Sequence, residues 1–433
     1  MKTTEPLVSV NQLSRAGRRA GDASAQRSEH GFRNARLRLG FMALLASLFI
    51  FSCAQDSIFF NISVEVKPKK PRIGGSPTKI VVLDDKLYVG ARFGKDIWIF
   101  DGGWQKISRP GGSIGELATD GTFLYALVFP GGEPRKASEI MQYDPAADDW
   151  VETYAAPADC SIQSLYCAGG KIFAGAQLKS NYQSYAILYY DPADPTSPLS
   201  VVKSNTSFLK GAAEMGGDIY LATAGSGIFK TSTASVDIPA DLTDPVEGTA
   251  NAIITGIITI ENTDPAADSV VAVSSGGYVY ITPNPDTTAG LPLFGSASVG
   301  SRFTGGMGIW SQYDSDSDTW KPALLLMGTR NLSNSQTQGY REMVLNPDGT
   351  PSFSVKSTGT TSAGAPSSVS SQPKYDASLG IHAVEAIIQV PNEVVPYPDM
   401  TLPENEGWHP LIFASTSQNG LWSYRGNEWN AEP

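Results

Sequence analysis

Four short stretches bring carboxylates close together: DPAAD at Asp144–Asp148 and again at Asp264–Asp268, DPADP at Asp191–Pro195, and DSDSD at Asp314–Asp318. Carboxylates at such spacing are the raw material of a cation site or an acid–base pair. A calcium loop of the D-x-D-x-D-G type needs Gly at its sixth position and Glu at its twelfth. Counting from Asp314, Thr319 and Leu325 stand there, so the pattern fails. Asp followed by Pro suits a type I turn instead, because the Asp side chain caps the turn while Pro presets φ. These clusters read as turns, and no metal or other cofactor is expected.

Other chemical patterns are thinner still. GGSIG at Gly111–Gly115 satisfies G-x-S-x-G, but a nucleophile elbow at Ser113 needs a strand before it and a helix after it. Here an alternating strand pattern follows. Beyond residue 52 the chain carries two histidines, His382 and His409, too few for a His-rich metal site. Cys160 and Cys167 fall near the two ends of one expected strand. Seven residues of strand span roughly 23 Å, whereas a disulfide needs Cα atoms within about 7 Å. Two unpaired thiols are expected, with Cys167 buried.

The net charge of −11 hides a split. Met1–Ser52 carries eight basic residues against three acidic ones, leaving 24 basic and 40 acidic residues, a balance of −16, in the remainder. An acidic body repels polyphosphate, so no nucleic-acid partner is expected. Arg33, Arg36 and Arg38 precede the uncharged apolar run Leu39–Phe51. That is the order of a secretory signal, and the run is shorter than the ~20 residues of a comfortable membrane span. Its ending, LFIFSCAQ, resembles the lipobox of bacterial lipoproteins. The resemblance implies acylation of Cys53, a membrane contact through that lipid, and a place at the cell envelope. Ile50 and Phe51 depart from the commoner residues of that motif. KPKKPR at Lys67–Arg72 reads as a solvated tether, or as a contact for anionic headgroups worth about 1 kcal/mol per basic residue. The organisation expected is thus a signal segment at 1–52, a tether at 53–77 containing a strand at 59–66, and one domain at 78–433.

That domain is a repeat. LDDKLYVGA (Leu83–Ala91), TDGTFLYAL (Thr119–Leu127), CAGGKIFAGA (Cys167–Ala176) and MGGDIYLAT (Met215–Thr223) share a Gly/Asp turn followed by an apolar strand. Their aromatics Tyr88, Tyr125, Phe173 and Tyr220 recur at intervals of 37, 48 and 47 residues. Asp-Gly and Gly-Gly between apolar runs are hairpin signals. A further alternating strand follows each, as in DIWIFD (Asp96–Asp101) and EIMQYD (Glu139–Asp144), and sometimes a fourth opening on Trp104 or Trp150. Four hairpin-linked strands in 40–50 residues make a propeller blade. Seven blades can be counted, with six or eight as alternatives, so an all-β, seven-bladed propeller of four-stranded antiparallel blades is expected. Phe59–Val66 would suit ring closure by joining the last blade.

The hairpin YDPAADDW (Tyr143–Trp150) resembles the kelch repeat, in which an aromatic, a short polar turn and a Trp follow a Gly-Gly hairpin. The likeness covers three or four blades, and it implies a propeller that most often serves as a binding platform. DSDSDTW is similar to the Asp-box hairpin of sialidases at Thr319 and Trp320 only, with Ser315 and Ser317 out of pattern.

One asymmetry points to a surface. In blades 1–4 the turn between the first two strands is short, whereas in blades 5–7 it grows to Asn262–Ser269, Asp314–Pro322 and Pro391–Pro410. Long loops bearing aromatics suit recognition. The binding candidates are Asp264, Asp268, Asp314, Asp316, Asp318, Trp320, Tyr397 and Trp408, facing a protein or glycan from a monomeric chain. A class-different alternative is a glycan-processing enzyme using Glu116, Glu214 or Glu385 on innermost strands. That reading requires two of these about 5–10 Å apart.

Overall fold

The computed structural model describes residues 73, 77–84, 86–91, 96–101, 104–107, 111–130, 132, 138–194, 196, 198–234, 242, 244–262, 268–283, 294–298, 302–310, 313–314, 319–320, 323–329, 339–345, 383–391, 408–417, 420–425 and 428–432. The expected signal segment at 1–52, Cys53, the strand expected at 59–66 and the basic stretch at 67–72 lie outside them. All of the described residues belong to one unit, Pro68–Pro433.

Seven antiparallel sheets follow one another along the chain. Blade 1 holds β1 (Pro77–Leu83), β2 (Lys86–Ala91), β3 (Ile97–Phe100) and β4 (Trp104–Ile107) in sequential order. Blade 2 repeats this with β5 (Ser113–Thr119), β6 (Leu124–Phe129), β7 (Glu139–Asp144) and β8 (Asp149–Ala155). Blade 3 does so with β9 (Cys160–Ala168), β10 (Lys171–Leu178), β11 (Tyr185–Tyr190) and β12 (Ser200–Thr206). In blade 4 the described strands are three, β13 (Leu209–Met215), β14 (Asp218–Thr223) and β15 (Gly227–Ser232). Beside β15 runs an irregular segment, where Val246 N–H donates to Ile228 O and Ile228 N–H to Thr249 Oγ1. Blade 5 is four-stranded: β16 (Ile254–Ile260), β17 (Ser269–Ser274), β18 (Tyr278–Pro283) and β19 (Gly295–Ser298). Blade 6 comprises β20 (Phe303–Trp310), β23 (Leu324–Thr329) and β24 (Gly339–Val344), with the pair β21 (Tyr313–Asp314) and β22 (Thr319–Trp320) inserted after β20. Blade 7 holds β25 (Val384–Pro391), β26 (Trp408–Thr416), β27 (Gly420–Arg425) and β28 (Glu428–Ala431).

The two-residue turns form because the sequence supplies residues that tolerate positive φ. Gly169 and Gly170 sit at φ 58° and 67°, and Gly216 and Gly217 at 61° and 80°, the paired positive values of a type I′ hairpin. Innermost strands then neighbour one another in the cycle β1, β5, β9, β13, β16, β20, β25 and back to β1. The chain is therefore an all-β, seven-bladed propeller.

Seven apolar clusters fill the seven gaps between blades. β6 makes the logic plain: all six of its residues are buried, yet they divide by the two-residue period of a strand. Leu124, Ala126 and Val128 pack with blade 1, while Tyr125, Leu127 and Phe129 pack with blade 3. Second strands are covered on both faces and read as apolar runs. Outer strands are not, as the mostly exposed β8 records.

The last gap, between blades 7 and 1, has the same construction. Phe413 and Leu421 pack against Ile80, Leu87, Val89 and Ile73. Leu421 N–H donates to Ile73 O at 3.1 Å, and Trp104 Nε1–H donates to Glu432 Oε2 at 2.8 Å. Glu432 is 2% exposed and also accepts from the Ser423 hydroxyl. The expected closure by 59–66 falls outside the described residues.

Candidate functional site

Two regions could carry function: the face bearing the turns after the first and third strands of each blade, and the lumen lined by the innermost strands. On the face, the acidic clusters that begin at Asp144 and Asp191 are turns. Asp144 Oδ1 accepts from Ala146 N–H at 2.9 Å, and Asp148, at φ 51°, accepts from the Tyr143 hydroxyl. Asp191 Oδ1 accepts from Ala193 N–H at 3.0 Å, and its Oδ2 pairs with Lys171 at 2.5 Å. Burial raises the Asp191 pKa, but Lys171, the Ala193 amide and the Tyr189 hydroxyl outweigh it and leave the carboxyl below its ordinary value. Asp268 closes the blade 5 connection by accepting from Asn262 N–H at 2.8 Å. Among the described residues no group of three His, Cys, Asp or Glu is placed to hold a metal.

The enlarged connections are partly built of strand, which sequence reading missed. Tyr313 pairs with Trp320 and Asp314 with Thr319, so the blade 6 connection is a small ribbon. In blade 7, Pro391 pairs with Trp408. Trp408 was expected in a loop; it opens β26, because the ladder continues beyond the length the other blades use. The alternation that would have revealed this is broken by the prolines around it. His409 also lies in β26. Asp264, Asp316, Asp318, Tyr397 and His382 fall outside the described residues. Opposite these long connections, blades 1–4 keep short turns at 84–85, 120–123, 169–170 and 216–217.

The lumen is set by an elementary constraint. The inner edge of each innermost strand has no ladder partner, so its N–H and C=O groups need others. Side chains of neighbouring blades supply them. Glu116 Oε2 accepts from Leu165 N–H at 3.0 Å, and Ser164 Oγ donates to Leu209 O at 3.0 Å. Thr259 Oγ1 donates to Glu214 O at 2.6 Å, and Thr304 Oγ1 to Val384 O. Between blades 5, 6 and 7 the backbones themselves meet. A Cβ on Gly256 would lie 2.3 Å from Gly305 O, and one on Gly308 2.4 Å from Ile387 O.

Two lysines of innermost strands rest on aromatic rings. Lys79 of β1 holds its Nζ 4.2 Å from the Tyr166 ring centroid, and Lys210 of β13 sits 4.7 Å from that of Phe208. Burial lowers the Lys79 pKa, Glu116 pulls it back, and Lys210 lowers it further; the balance is below the ordinary lysine value. Neither lysine carries any motif that sequence reading could have flagged.

The three glutamates lie on three different innermost strands. Glu116 is in the middle of β5, Glu214 is the penultimate residue of β13, and Glu385 is the second residue of β25. They sit on strands that are not neighbours in the ring and at different levels along it. Ser113 begins β5, so a strand rather than a helix follows it, as the sequence pattern indicates. Cys160 and Cys167 are both free and stand at the two ends of β9. Cys160 is the buried one; Cys167 is half-buried, a correction that follows from its place next to the turn. Burial, with Asp120 and Glu214 adding, pushes the Cys167 thiol up to about 12.

No protein-family model matches the chain, and no curated protein matches it. Solved structures do resemble it in shape. The WD40 β-propeller domain of Doa1 has a TM-score of 0.45 at 11% identity, covering 82% of this chain and 95% of that one. The Cps50 (Swd1) β-propeller domain from Myceliophteria thermophila has a TM-score of 0.48 at 11% identity, covering 84% and 100%. A chain of the mitotic checkpoint complex has a TM-score of 0.47 at 10% identity, covering 83% and 98%.

Proposed function

We propose that the protein is an exported, lipid-anchored, kelch-like propeller that works as a binding or scaffolding module at the bacterial cell envelope. It engages a protein or glycan through the connections after the first strands of blades 5–7. The observation that carries this reading is the contrast within one ring. Four blades turn in two to four residues, while the connections of blades 6 and 7 contain further strand pairing, Tyr313 with Trp320 and Pro391 with Trp408. A rigid base under a variable connection is how folds of this kind present recognition residues. The kelch reading is supported by Tyr143 and Trp150, whose rings pack at 5.3 Å across the Asp148 turn. Export and anchoring rest on Arg33–Arg38, Leu39–Phe51 and Cys53.

The test is capture from solubilised envelopes by the full chain and by a variant in which residues 392–407 are replaced with a short Gly-Ser linker. The replacement is expected to lose the captured partner while leaving the circular dichroism spectrum unchanged; equal capture sinks the reading. In the same strain, Cys53→Ala is expected to abolish labelling by a fatty-acid probe, and labelling that persists removes the anchor.

A further inference from the structure

Blades 2 and 3 meet through a pair of tyrosines that neither the long connections nor the lumen uses. Tyr154 lies in β8, the outer strand of blade 2, and Tyr190 ends β11, the third strand of blade 3. Their ring centroids are 4.3 Å apart with the planes at 40°, and the Tyr190 hydroxyl donates to the Tyr154 hydroxyl at 2.8 Å. Rings and oxygens are thus in contact at once. Two other tyrosine pairs are looser: Tyr88 and Tyr143 stand 6.4 Å apart, and Tyr278 and Tyr280 stand 6.2 Å apart. In a biphenol joined ortho to ortho, centroids and oxygens keep nearly the separations seen between Tyr154 and Tyr190. Joining these two rings therefore calls for their rotation, not for movement of the strands.

The surroundings supply a route for protons. The Tyr154 hydroxyl has two acceptors within reach, Glu152 Oε2 at 2.5 Å and Gln142 Oε1 at 2.6 Å. Glu152 is exposed, so a proton passed to it reaches water. Burial is the first cause that raises both phenols above their ordinary value, and each is neutral at physiological pH. A neutral phenol that loses an electron must shed its proton too, because the radical cation is a strong acid. Glu152 receives the Tyr154 proton, and the Tyr190 proton passes through the Tyr154 oxygen along the bond between them.

We propose that Tyr154 and Tyr190 form an oxidative cross-linking site, at which one-electron oxidants join the two rings by a carbon–carbon bond and staple blade 2 to blade 3. Two oxidations remove two electrons and the two hydroxyl protons. The bond forms between ring carbons ortho to the hydroxyls, and the hydrogens on those carbons shift to the oxygens, restoring both phenols. The oxidant, such as a haem peroxidase fed by hydrogen peroxide, takes up both electrons. The staple closes the intervening chain into a loop and restricts the unfolded state as a disulfide does. The chain's thiols at Cys160 and Cys167 are both free and provide no such link.

The test is oxidation of the full-length chain in detergent by photogenerated tris(bipyridyl)ruthenium(III), with persulfate as the final electron acceptor. The expected product is monomeric on a denaturing gel, fluoresces as dityrosine and is lighter by two hydrogen atoms. Digestion should yield a linked peptide pair containing Tyr154 and Tyr190. Tyr154→Phe and Tyr190→Phe should each lower that yield by about tenfold or more, since a pair held in contact couples ahead of chance encounters. Tyr278→Phe, which removes a tyrosine 44% exposed, should leave it unchanged. Glu152→Gln should slow the coupling severalfold, and the linked form should unfold at a higher urea concentration than the parent. Absence of the linked pair overturns the proposal, as does an undiminished yield in Tyr154→Phe or a yield that falls equally in Tyr278→Phe. An unchanged rate in Glu152→Gln overturns the proton route, and an unchanged urea midpoint overturns the staple. If Tyr190→Phe fails to fold, Tyr154→Phe, whose side chain packs against the edge of its core cluster, decides by the same criterion.

Discussion

At the scale of single residues, burial changes the acid–base behaviour of the repeated aromatics. Tyr88 is fully buried, and desolvation, with Asp84, Asp101 and Asp148 adding, raises its hydroxyl to about 12. Tyr125, Tyr143, Tyr154 and Tyr220 are raised as well, in each case by burial first, and Cys167 to about 12. In every case the folded chain favours the protonated form. Unfolding returns these groups to ordinary values of 9.0 for the thiol and 10.0 for the phenols. The unfolded state therefore releases protons first as pH rises. Stability from these groups is complete below about pH 9 and is lost progressively toward pH 12. Urea unfolding midpoints measured from pH 7 to 11 are expected to hold up to about pH 9 and then fall, with tyrosinate absorbance appearing together with unfolding. A tyrosinate signal that develops fully in the folded chain near pH 10 contradicts this. The turn aspartates were readable at this scale because Asp-Pro acts locally. The contact of Lys79 with the Tyr166 ring was not, because a lysine in a strand has meaning only once distant strands are packed against it.

At the scale of elements, the ring is uneven. Blades 1–4 space their innermost strands with side chains, while blades 5–7 draw theirs together at glycine. Gly256 cannot accept a methyl group, since its Cβ would sit 2.3 Å from Gly305 O and 2.6 Å from Gly305 Cα. Both are backbone atoms, so relief requires strands to part. Gly256→Ala is expected to destabilise the fold by about 2 kcal/mol or more, the range of overpacked cores. Gly111→Ala, which has nothing within 4 Å and no positive φ, should be within ~0.5 kcal/mol of the parent. Comparable denaturation midpoints for the two variants contradict the close approach. The hairpins were legible in the sequence because their turns and alternation are local signals. The glycine contacts were not: GGMG in Phe303–Trp310 reads as flexibility until a neighbouring backbone is seen against it. The outer edge of blade 4 escaped for a related reason, since the irregular segment beside β15 is specified by contacts such as Val246 to Ile228 rather than by any period.

At the scale of the whole molecule, the ends of the described chain meet through side chains. The indole of Trp104 in blade 1 donates to the buried Glu432 beyond blade 7. Removing that donor leaves a carboxylate short of a partner in a dry site, which costs about 1–3 kcal/mol. Trp104→Phe, which keeps the ring pairing with Phe100 and Phe413 in prospect, should lower stability by that amount. Combined with Glu432→Gln, the loss should be less than the sum of the two separate losses. Strict additivity in this double-mutant cycle shows that the bond does not join the blades. The number of blades was countable from the sequence because each contributes a central apolar strand. The closure was not, since Glu432 carries no motif and its partner lies more than three hundred residues earlier.

The division of each second strand between two cores has a consequence for how change spreads. Successive residues of β6 belong alternately to the gap before and the gap after their blade. Position along such a strand is therefore also direction around the circle: one parity reports to the upstream neighbour and the other to the downstream neighbour. A substitution at Tyr125 and one at Leu124 are adjacent in the chain yet disturb opposite sides of the blade. Parity rather than distance decides which neighbour must accommodate them.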